Sequence, residues 1–311
     1  MSFEIKDGVL KKYYEENGET AVVIPDSVTT IENNAFANCL NLESVTIPNS
    51  VTNIEYGAFY GCKRLESITI PDSITRIENL VFSCCENLES ITIPESVTSI
   101  GLWAFSNTKW LENYPDDLVI INGILIRYKG NSKNVLIPDN VTSIGTMAFD
   151  CCKNLESITI PDSVTSIGDF AFAHCSCLES ITYKGIKAKL SLIIPTSSFT
   201  KHNRYGYINN IIETINKKDF SAKIPNETKY GIACSLFNQN PADPETYAYF
   251  KKNFFKIFRF AIDNNDIETV NNVIKEDKLI TKRNIDKLIG YAEQKNNTAI
   301  KNILENYKNQ L

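Results

Sequence analysis

Hydrophobic positions recur every 23 residues over roughly residues 20–185 of this chain. Phe36, Phe59, Phe82 and Phe105 are each one step apart. Between them, segments such as L-E-S-I-T-I alternate apolar and polar residues, which predicts short strands with one face turned inward. Further phenylalanines, and prolines, cysteines and leucines, recur at the same 23-residue spacing before and after one interruption: Phe149, Phe172; Pro25, Pro48, Pro71, Pro94, Pro138, Pro161; Cys39, Cys62, Cys85, Cys152, Cys175; Leu42, Leu65, Leu88, Leu155, Leu178. One such unit cannot bury its own apolar face, so the pattern predicts a stacked solenoid.

The repeat resembles that of the BspA-like (Treponema pallidum-type) leucine-rich-repeat family. The resemblance is carried by the Ala-Phe pairs, by the C-x-x-L step of Cys62-Lys63-Arg64-Leu65 and by the strand Ile68-Thr69-Ile70-Pro71. It covers residues 20–185 and implies a leucine-rich-repeat solenoid. Members of this family are described broadly as surface, adhesion or interaction proteins, so the resemblance is specific for fold and much less specific for function.

The 23-residue repeat is interrupted once. Pro94 and Pro138 are 44 residues apart, close to two periods, and Asn122-Gly123 between them is a strong hairpin signal. The N-terminus has the same pattern around Asp7-Gly8. We therefore expect residues 1–23 to form an N-terminal hairpin cap and residues 24–200 to form the solenoid. A hairpin insertion near residues 107–137 would be an internal copy of the cap.

Beyond about residue 201 the apolar period becomes helical, which predicts an α+β fold class with an all-α domain over residues 201–311. Ile193-Ile194-Pro195 is the candidate for a last degenerate strand. Asp243-Pro244 is a favourable helix start for a helix running to about Ile262. Other helix signals are the apolar spacing of Ile208, Ile211, Ile212 and Ile215, the segment 229–237, and starts at Asp266, Thr281 and Thr298. Residues 260–308 are loosely similar to ankyrin helix pairs but lack their T-P-L-H element.

Charge divides along the same boundary. Residues 1–185 carry a net charge of -12 and residues 186–311 carry +7, within an overall charge of -5. The predicted helix after Asp243 bears a basic face beside a phenylalanine stripe: Lys251, Lys252, Lys256, Arg259; Phe250, Phe254, Phe258. Without a nucleic-acid motif, this indicates an amphipathic helix rather than a nucleic-acid-binding one.

No constellation of catalytic residues is visible in the sequence. The two histidines, His174 and His202, lie in no nucleophile or metal motif, and no phosphate-binding glycine loop is present. One metal candidate is the group Cys151, Cys152, His174, Cys175 and Cys177. Because Cys152 and Cys175 are ladder positions, we favour buried thiols, with no metal, no cofactor and no enzymatic activity.

The outward positions of the strands are the stronger functional candidates. We expect a threonine row on the sheet face and an acidic row near its edge: Thr46, Thr69, Thr92, Thr159, Thr182; Glu43, Glu66, Glu89, Glu156, Glu179. Trp103, Trp110 and Tyr114 lie at the break, where they either pack under the hairpin or contact a ligand. The sequence favours a non-catalytic interaction protein that binds a protein partner through this face.

The alternative is a cell-surface adhesin or glycan-binding protein. No secretory signal is visible at the N-terminus and no apolar stretch is long enough to span a membrane. These observations favour the cytoplasm, or the cell surface if the N-terminus is processed or truncated.

Overall fold

The computed structural model of the chain describes residues 2–16, 18–190, 204–276 and 279–311. It shows a leucine-rich-repeat β-solenoid followed by a helical C-terminal region, which confirms the predicted fold class. The candidate strand at Ile193–Pro195, the expected boundary near residue 200 and His202 lie outside the described residues. No helix among the described residues is long and apolar enough to cross a membrane.

The chain divides into two compact units, and each unit consists of three segments. The first comprises residues 1–131, 138–152 and 163–173. The second comprises residues 132–137, 153–162 and 174–311. The strands are β1 (Ser2–Lys6), β2 (Val9–Tyr14), β3 (Ala21–Val23), β4 (Thr30–Ile31), β5 (Ser44–Thr46), β6 (Asn53–Ile54), β7 (Ser67–Thr69), β8 (Arg76–Ile77), β9 (Ser90–Thr92), β10 (Ser99–Ile100), β11 (Leu118–Ile121), β12 (Ile124–Tyr128), β13 (Asn134–Leu136), β14 (Ser143–Ile144), β15 (Ser157–Ile160), β16 (Ser166–Ile167), β17 (Ser180–Tyr183) and β18 (Ile186–Lys189).

The first unit holds four sheets made of these short strands. Their orders are β1-β2-β4-β6, β3-β5-β7-β9, β10-β8 and β11-β12-β14-β16. The second unit holds the sheet β13-β15-β17-β18. Successive coils pair in parallel at an offset of 23 residues, as Ser44, Ser67 and Ser90 do. A proline follows β3, β5, β7, β9, β13 and β15 within two residues, where its missing N–H ends the strand without losing a needed donor.

Stacked aromatic rings fill the core of the first unit. The ring centroids of Phe36 and Phe59 are 4.9 Å apart, and those of Phe59 and Phe82 are 5.5 Å apart. Each of these rings is buried, as are the ladder cysteines Cys62 and Cys85. The Cys62 thiol donates to the Phe36 carbonyl at 3.1 Å. The hydrogen bond with Cys39 lowers the pKa of Cys62, but the hydrogen bond with Cys85 and burial outweigh it and raise the pKa. The 23-residue repeat therefore places like side chains directly above one another.

Two of the four sheets of the first unit begin with a hairpin. β1 and β2 turn at Asp7-Gly8, and β11 and β12 turn at Asn122-Gly123. Both residues of each turn have positive φ, 52° and 76° in the first and 49° and 76° in the second. This conformation requires glycine at the second position and tolerates Asp or Asn at the first.

The helices are α1 (Lys109–Glu112), α2 (Arg204–Lys217), α3 (Asn226–Gln239), α4 (Pro244–Lys252), α5 (Phe254–Asp263), α6 (Ile267–Lys275), α7 (Ile285–Gln294) and α8 (Thr298–Lys308). The single helix expected from Pro244 to Ile262 is wrong, because the chain breaks at Asn253 into α4 and α5. Asp243 caps α4 by accepting from the Thr246 N–H at 2.9 Å, and Asp266 caps α6 in the same way. The start expected at Thr281 lies four residues before α7 begins.

The phenylalanine stripe of α4 and α5 is buried while its lysines are exposed. Phe250, Phe254 and Phe258 lie in the helical core. Arg259 lies over the Tyr291 ring at 4.7 Å, which is a cation–π contact with α7. This distribution agrees with an amphipathic arrangement in which cations cover the outer face.

Candidate binding surfaces

The first sheet presents an exposed row of β-branched side chains. Thr46, Thr69 and Thr92 occupy the same position in β5, β7 and β9, and all three are exposed. Their neighbours Val45 and Ile68 point into the core, because side chains alternate along a strand. The row is flat, repeated and open to solvent, which are the properties of a docking face on a repeat protein.

The second sheet carries a shorter row of the same kind. Thr159 and Thr182 pair in register in β15 and β17 and are half-buried. Six of the ten residues predicted from the sequence lie on or beside the first sheet, and the other four lie on or beside the second. The two groups therefore belong to separate sheets.

Each row begins with an aliphatic side chain that the sequence interpretation missed. Val23 pairs with Thr46, and its side chain is 61% exposed. Leu136 pairs with Thr159 and is 71% exposed. Aligning V-V-I-P and V-L-I-P with I-T-I-P places Val23 and Leu136 at the threonine position, so the repeat contained this signal. An exposed aliphatic residue in line with the row adds apolar area to each face.

The acidic row is largely paired with cations of neighbouring coils. Arg64 contacts Glu43 at 2.9 Å, and Lys109 contacts Glu89 at 2.7 Å. In the second unit Lys133 contacts Glu156 at 2.6 Å, and this hydrogen bond raises the pKa of the lysine. No ion pair involves Glu66 or Glu179 among the residues that the structure describes. Exposed pairs such as these contribute little to stability, but they leave the edge less acidic than its sequence indicates.

The first sheet ends at β9 because a helical turn takes the place of the next strand. Thr108 caps α1 by accepting from the Leu111 N–H at 3.2 Å, and the Trp110 N–H donates to Leu88 O at 2.7 Å. Trp110 packs against Phe105 and Tyr114, with ring centroids 4.9 and 5.6 Å apart. Of the three aromatic residues at the break, Trp110 and Tyr114 are therefore packing residues.

Trp103 differs from these two residues. Its side chain is 48% exposed, and no ring contact to it occurs among the described residues. It lines a cleft of about 370 Å³ together with Arg127 of β12 and with Met147 of the following coil. We call this space, between coil 101–107 and the hairpin β11–β12, the junction cleft. Its volume is at the lower end of the range of ligand pockets, about 300–1,000 Å³.

The cysteines differ in how deeply they are buried. All nine are thiols. Cys175 is buried, Cys152 is half-buried, and Cys151 and Cys177 are exposed. Cys151 and Cys152 belong to the first unit, whereas His174, Cys175 and Cys177 belong to the second. Burial raises the pKa of Cys234, on α3, to about 12, so this thiol is protonated at neutral pH.

Comparison with solved structures finds bacterial leucine-rich-repeat proteins. The chain is 32% identical to a leucine-rich repeat protein from Bacteroides ovatus over 54% of this chain and 38% of that one, with a TM-score of 0.34. It is 31% identical to a leucine-rich cell surface protein from Faecalibacterium prausnitzii over 52% of this chain and 60% of that one, with a TM-score of 0.30. The chain thus spans less than two thirds of the length of either protein.

A third similar structure is the leucine-rich repeat protein of T. pallidum. It is 26% identical over 59% of this chain and 80% of that one, with a TM-score of 0.35. No curated protein matches the chain. The family model of the BspA-type leucine-rich repeat region matches in 6 copies over residues 10–122 and 119–240, which is more than half of the chain. The chain therefore belongs to the BspA-type leucine-rich-repeat family.

Proposed function

We propose that this chain is a non-catalytic interaction protein that binds a protein partner through the outward faces of its two main sheets. The observation that carries the proposal is the exposed, in-register row Val23, Thr46, Thr69 and Thr92 on the first sheet. The row Leu136, Thr159 and Thr182 is its counterpart on the second sheet. Short β-branched and aliphatic side chains lose little conformational entropy when a partner covers them.

The acidic residues have a different role in this proposal. Glu43, Glu89 and Glu156 are paired with cations, so they border the face rather than form a strongly charged patch. Such a rim contributes orientation and salt dependence more than affinity. The protein partner is therefore expected to offer a mainly uncharged, β-branched or aromatic surface to the threonine rows.

The test is capture of the native partner by crosslinking and mass spectrometry, followed by binding measurements with variants of the face. Thr69→Lys places a long charged side chain in the centre of the first row, at an exposed site where the fold tolerates it. The matched control is Asn53→Lys, which adds the same side chain on the exposed end of β6. We expect Thr69→Lys to weaken binding by at least about tenfold and Asn53→Lys to leave it unchanged.

Equal binding by both variants and by Leu136→Lys would refute the sheet faces as the contact. Retention of a glycan on an array, abolished by Thr69→Lys, would instead assign the face to carbohydrate. We also propose that the chain has no enzymatic activity. The same proposal includes a cap over residues 1–23, a solenoid over residues 24–200 and a helical domain over residues 201–311. Limited proteolysis between residues 190 and 204 tests the division near residue 200.

A further inference from the structure

Three successive coils of the first unit each donate three turn N–H groups to the coil that follows. The N–H groups of Asn34, Phe36 and Asn38 donate to the carbonyls of Tyr56, Ala58 and Tyr60 at 3.0, 2.8 and 2.8 Å. Two further coils repeat this pattern, ending with donors Leu80, Phe82 and Cys84 and acceptors Leu102, Ala104 and Ser106 at 3.0, 2.8 and 2.8 Å. The acceptors are carbonyls of alternate residues in a polypeptide turn.

The next coil has the same three donors but no following turn. Trp103 and Asn107 have φ of 54° and 57°, close to the 59° and 61° of Leu80 and Cys84, so the backbone keeps its conformation. No backbone or side-chain acceptor binds the N–H groups of Trp103, Phe105 and Asn107 within the part of the chain that the structure describes. The reason is that α1 and the hairpin β11–β12 replace the turn that would supply carbonyls.

These three residues line the junction cleft. Its opposite wall includes Arg127, which is half-buried and has no ion pair among the described residues. The other basic residue that lines the cleft, Lys129, already donates to the carbonyls of Glu112 and Tyr114 at 3.0 and 2.7 Å. An unpaired, partly desolvated guanidinium is a strong site for a carboxylate.

Acidic residues also line the cleft and restrict the ligand. Glu112 and Asp150 lie on its wall, so the formal charges of the lining balance. A ligand with diffuse negative charge is disfavoured, whereas one with a single carboxylate placed at Arg127 fits. The remaining donors require neutral acceptors, which backbone carbonyls provide.

Trp103 adds an exposed aromatic ring to the lining of the cleft. Asn34 and Gly57 hold the same left-handed position in earlier coils and adopt positive φ at little cost, whereas Leu80, Met147 and Phe170 are larger residues at this position in other coils. Like these larger residues, Trp103 is costlier here than Asn or Gly, and its side chain, which lines the cleft, is 48% exposed. Tryptophan and arginine, which both line this cleft, are enriched at binding hot spots.

We propose that the junction cleft binds an acidic peptide segment of a partner protein that takes the place of the missing turn. Its carbonyls at alternate residues accept from Trp103, Phe105 and Asn107, an aspartate or glutamate pairs with Arg127, and its flanking residue packs on the Trp103 ring. A polypeptide is chosen as occupant because the coil interfaces before the cleft satisfy the same donors with polypeptide carbonyls. This inference rests on the proposed function in that the partner is a protein.

The probe is a displayed library of short random peptides selected on the full chain. We expect the bound peptides to be enriched in aspartate and glutamate, and to shift the amide NMR signals of residues 103, 105 and 107. Trp103→Asn and Arg127→Gln are expected to weaken the selected peptides by at least about tenfold. The matched controls are Phe170→Asn and Arg76→Gln. Phe170 occupies the left-handed position equivalent to Trp103 in a coil that follows the hairpin β11–β12, and Arg76 is an exposed arginine of β8.

Selection of peptides that bind the Trp103→Asn chain equally well would overturn the proposal, as would peptides without acidic residues or without an effect on the three amides. Tighter binding of polygalacturonate at the same amides would assign the cleft to an acidic carbohydrate instead. If Thr69→Lys releases the native partner and the cleft variants do not, the cleft proposal fails and the proposed function stands. If the cleft variants alone release it, the sheet face fails.

Discussion

The hairpins β1–β2 and β11–β12 are built alike, yet they have different surroundings. Each turns through two residues of positive φ and offers its second strand to a following coil, with Leu10 opposite Ile31 and Leu125 opposite Ile144. The internal hairpin also contacts the coil before it, through Asn122 Nδ2, which donates to the carbonyls of Pro94 and Val97 at 2.8 and 3.0 Å. Asp7, in the corresponding position, makes no such bond among the described residues.

This comparison shows that each hairpin starts a ladder of parallel strands, and that the internal hairpin joins the coil before it through side chains. Toward the following coil it supplies a strand edge and an aromatic ring, Tyr13 or Tyr128, that joins the phenylalanine stack. Toward the preceding coil the internal hairpin supplies the Asn122 amide and Ile126, which packs against the core that includes Phe105. The internal hairpin therefore leaves the turn donors of coil 101–107 without partners, and the junction cleft results.

The largest expected effect comes from removing the ring with which each hairpin joins the core. Tyr13→Ala and Tyr128→Ala each delete a buried aromatic side chain, and we expect each to lower the free energy of unfolding by about 3–5 kcal/mol. Urea unfolding followed by circular dichroism measures the change. Tyr14→Ala is the control, since Tyr14 is 51% exposed. A comparable loss in the control would mean that the hairpins do not join the core through these rings.

A smaller effect is expected at the two turn glycines. A Cβ at Gly8 would lie 3.1 Å from Thr29 Oγ1, and one at Gly123 would lie 3.0 Å from Thr142 Oγ1, both at φ of 76°. Gly8→Ala and Gly123→Ala should each destabilise the chain by about 2 kcal/mol, chiefly through the left-handed backbone. Gly290→Ala, on α7 with open space around it, should be neutral or stabilising. Unequal losses at Gly8 and Gly123 in thermal unfolding would break the equivalence of the hairpins.

The difference between the hairpins is tested by Asn122→Ala against Asp7→Ala. Both residues have left-handed backbones, so the backbone effect is shared, and only Asn122 loses hydrogen bonds to the preceding coil. We expect Asn122→Ala to cost about 1–2 kcal/mol more than Asp7→Ala in chemical denaturation. Equal costs would show that the Asn122 amide does not hold the hairpin to the preceding coil.

The smallest effect is a gain in stability. Trp103→Asn introduces the residue that the first coil carries at this left-handed position, and should raise the free energy of unfolding by about 0.5–1 kcal/mol. Asn34→Trp is the reverse change and should lower it. Differential scanning calorimetry of the two variants decides the sign. A loss of stability in Trp103→Asn would mean that the ring packs in the cleft.

Many of the binding candidates could be predicted because they follow the strand period. Thr46, Thr69 and Thr92 alternate with buried residues, and their exposure is a direct consequence of that alternation. Val23 and Leu136 follow the same rule and were missed only because they are not threonines. The cations that pair with Glu43, Glu89 and Glu156 come from other coils, so no local sequence pattern predicts these ion pairs.

The sequence by itself determined the repeat, the inward and outward residues and the two hairpin turns, because each depends on local period or on residues that tolerate positive φ. Only the tertiary structure decided that α1 ends the first sheet, that α4 and α5 separate at Asn253, and that Trp103 is exposed while Trp110 is packed. The tertiary structure likewise decided that the N–H groups of Trp103, Phe105 and Asn107 have no acceptor among the described residues. Whether an N–H has an acceptor depends on the next coil in space, and at the break that coil is no longer the next 23 residues of the chain.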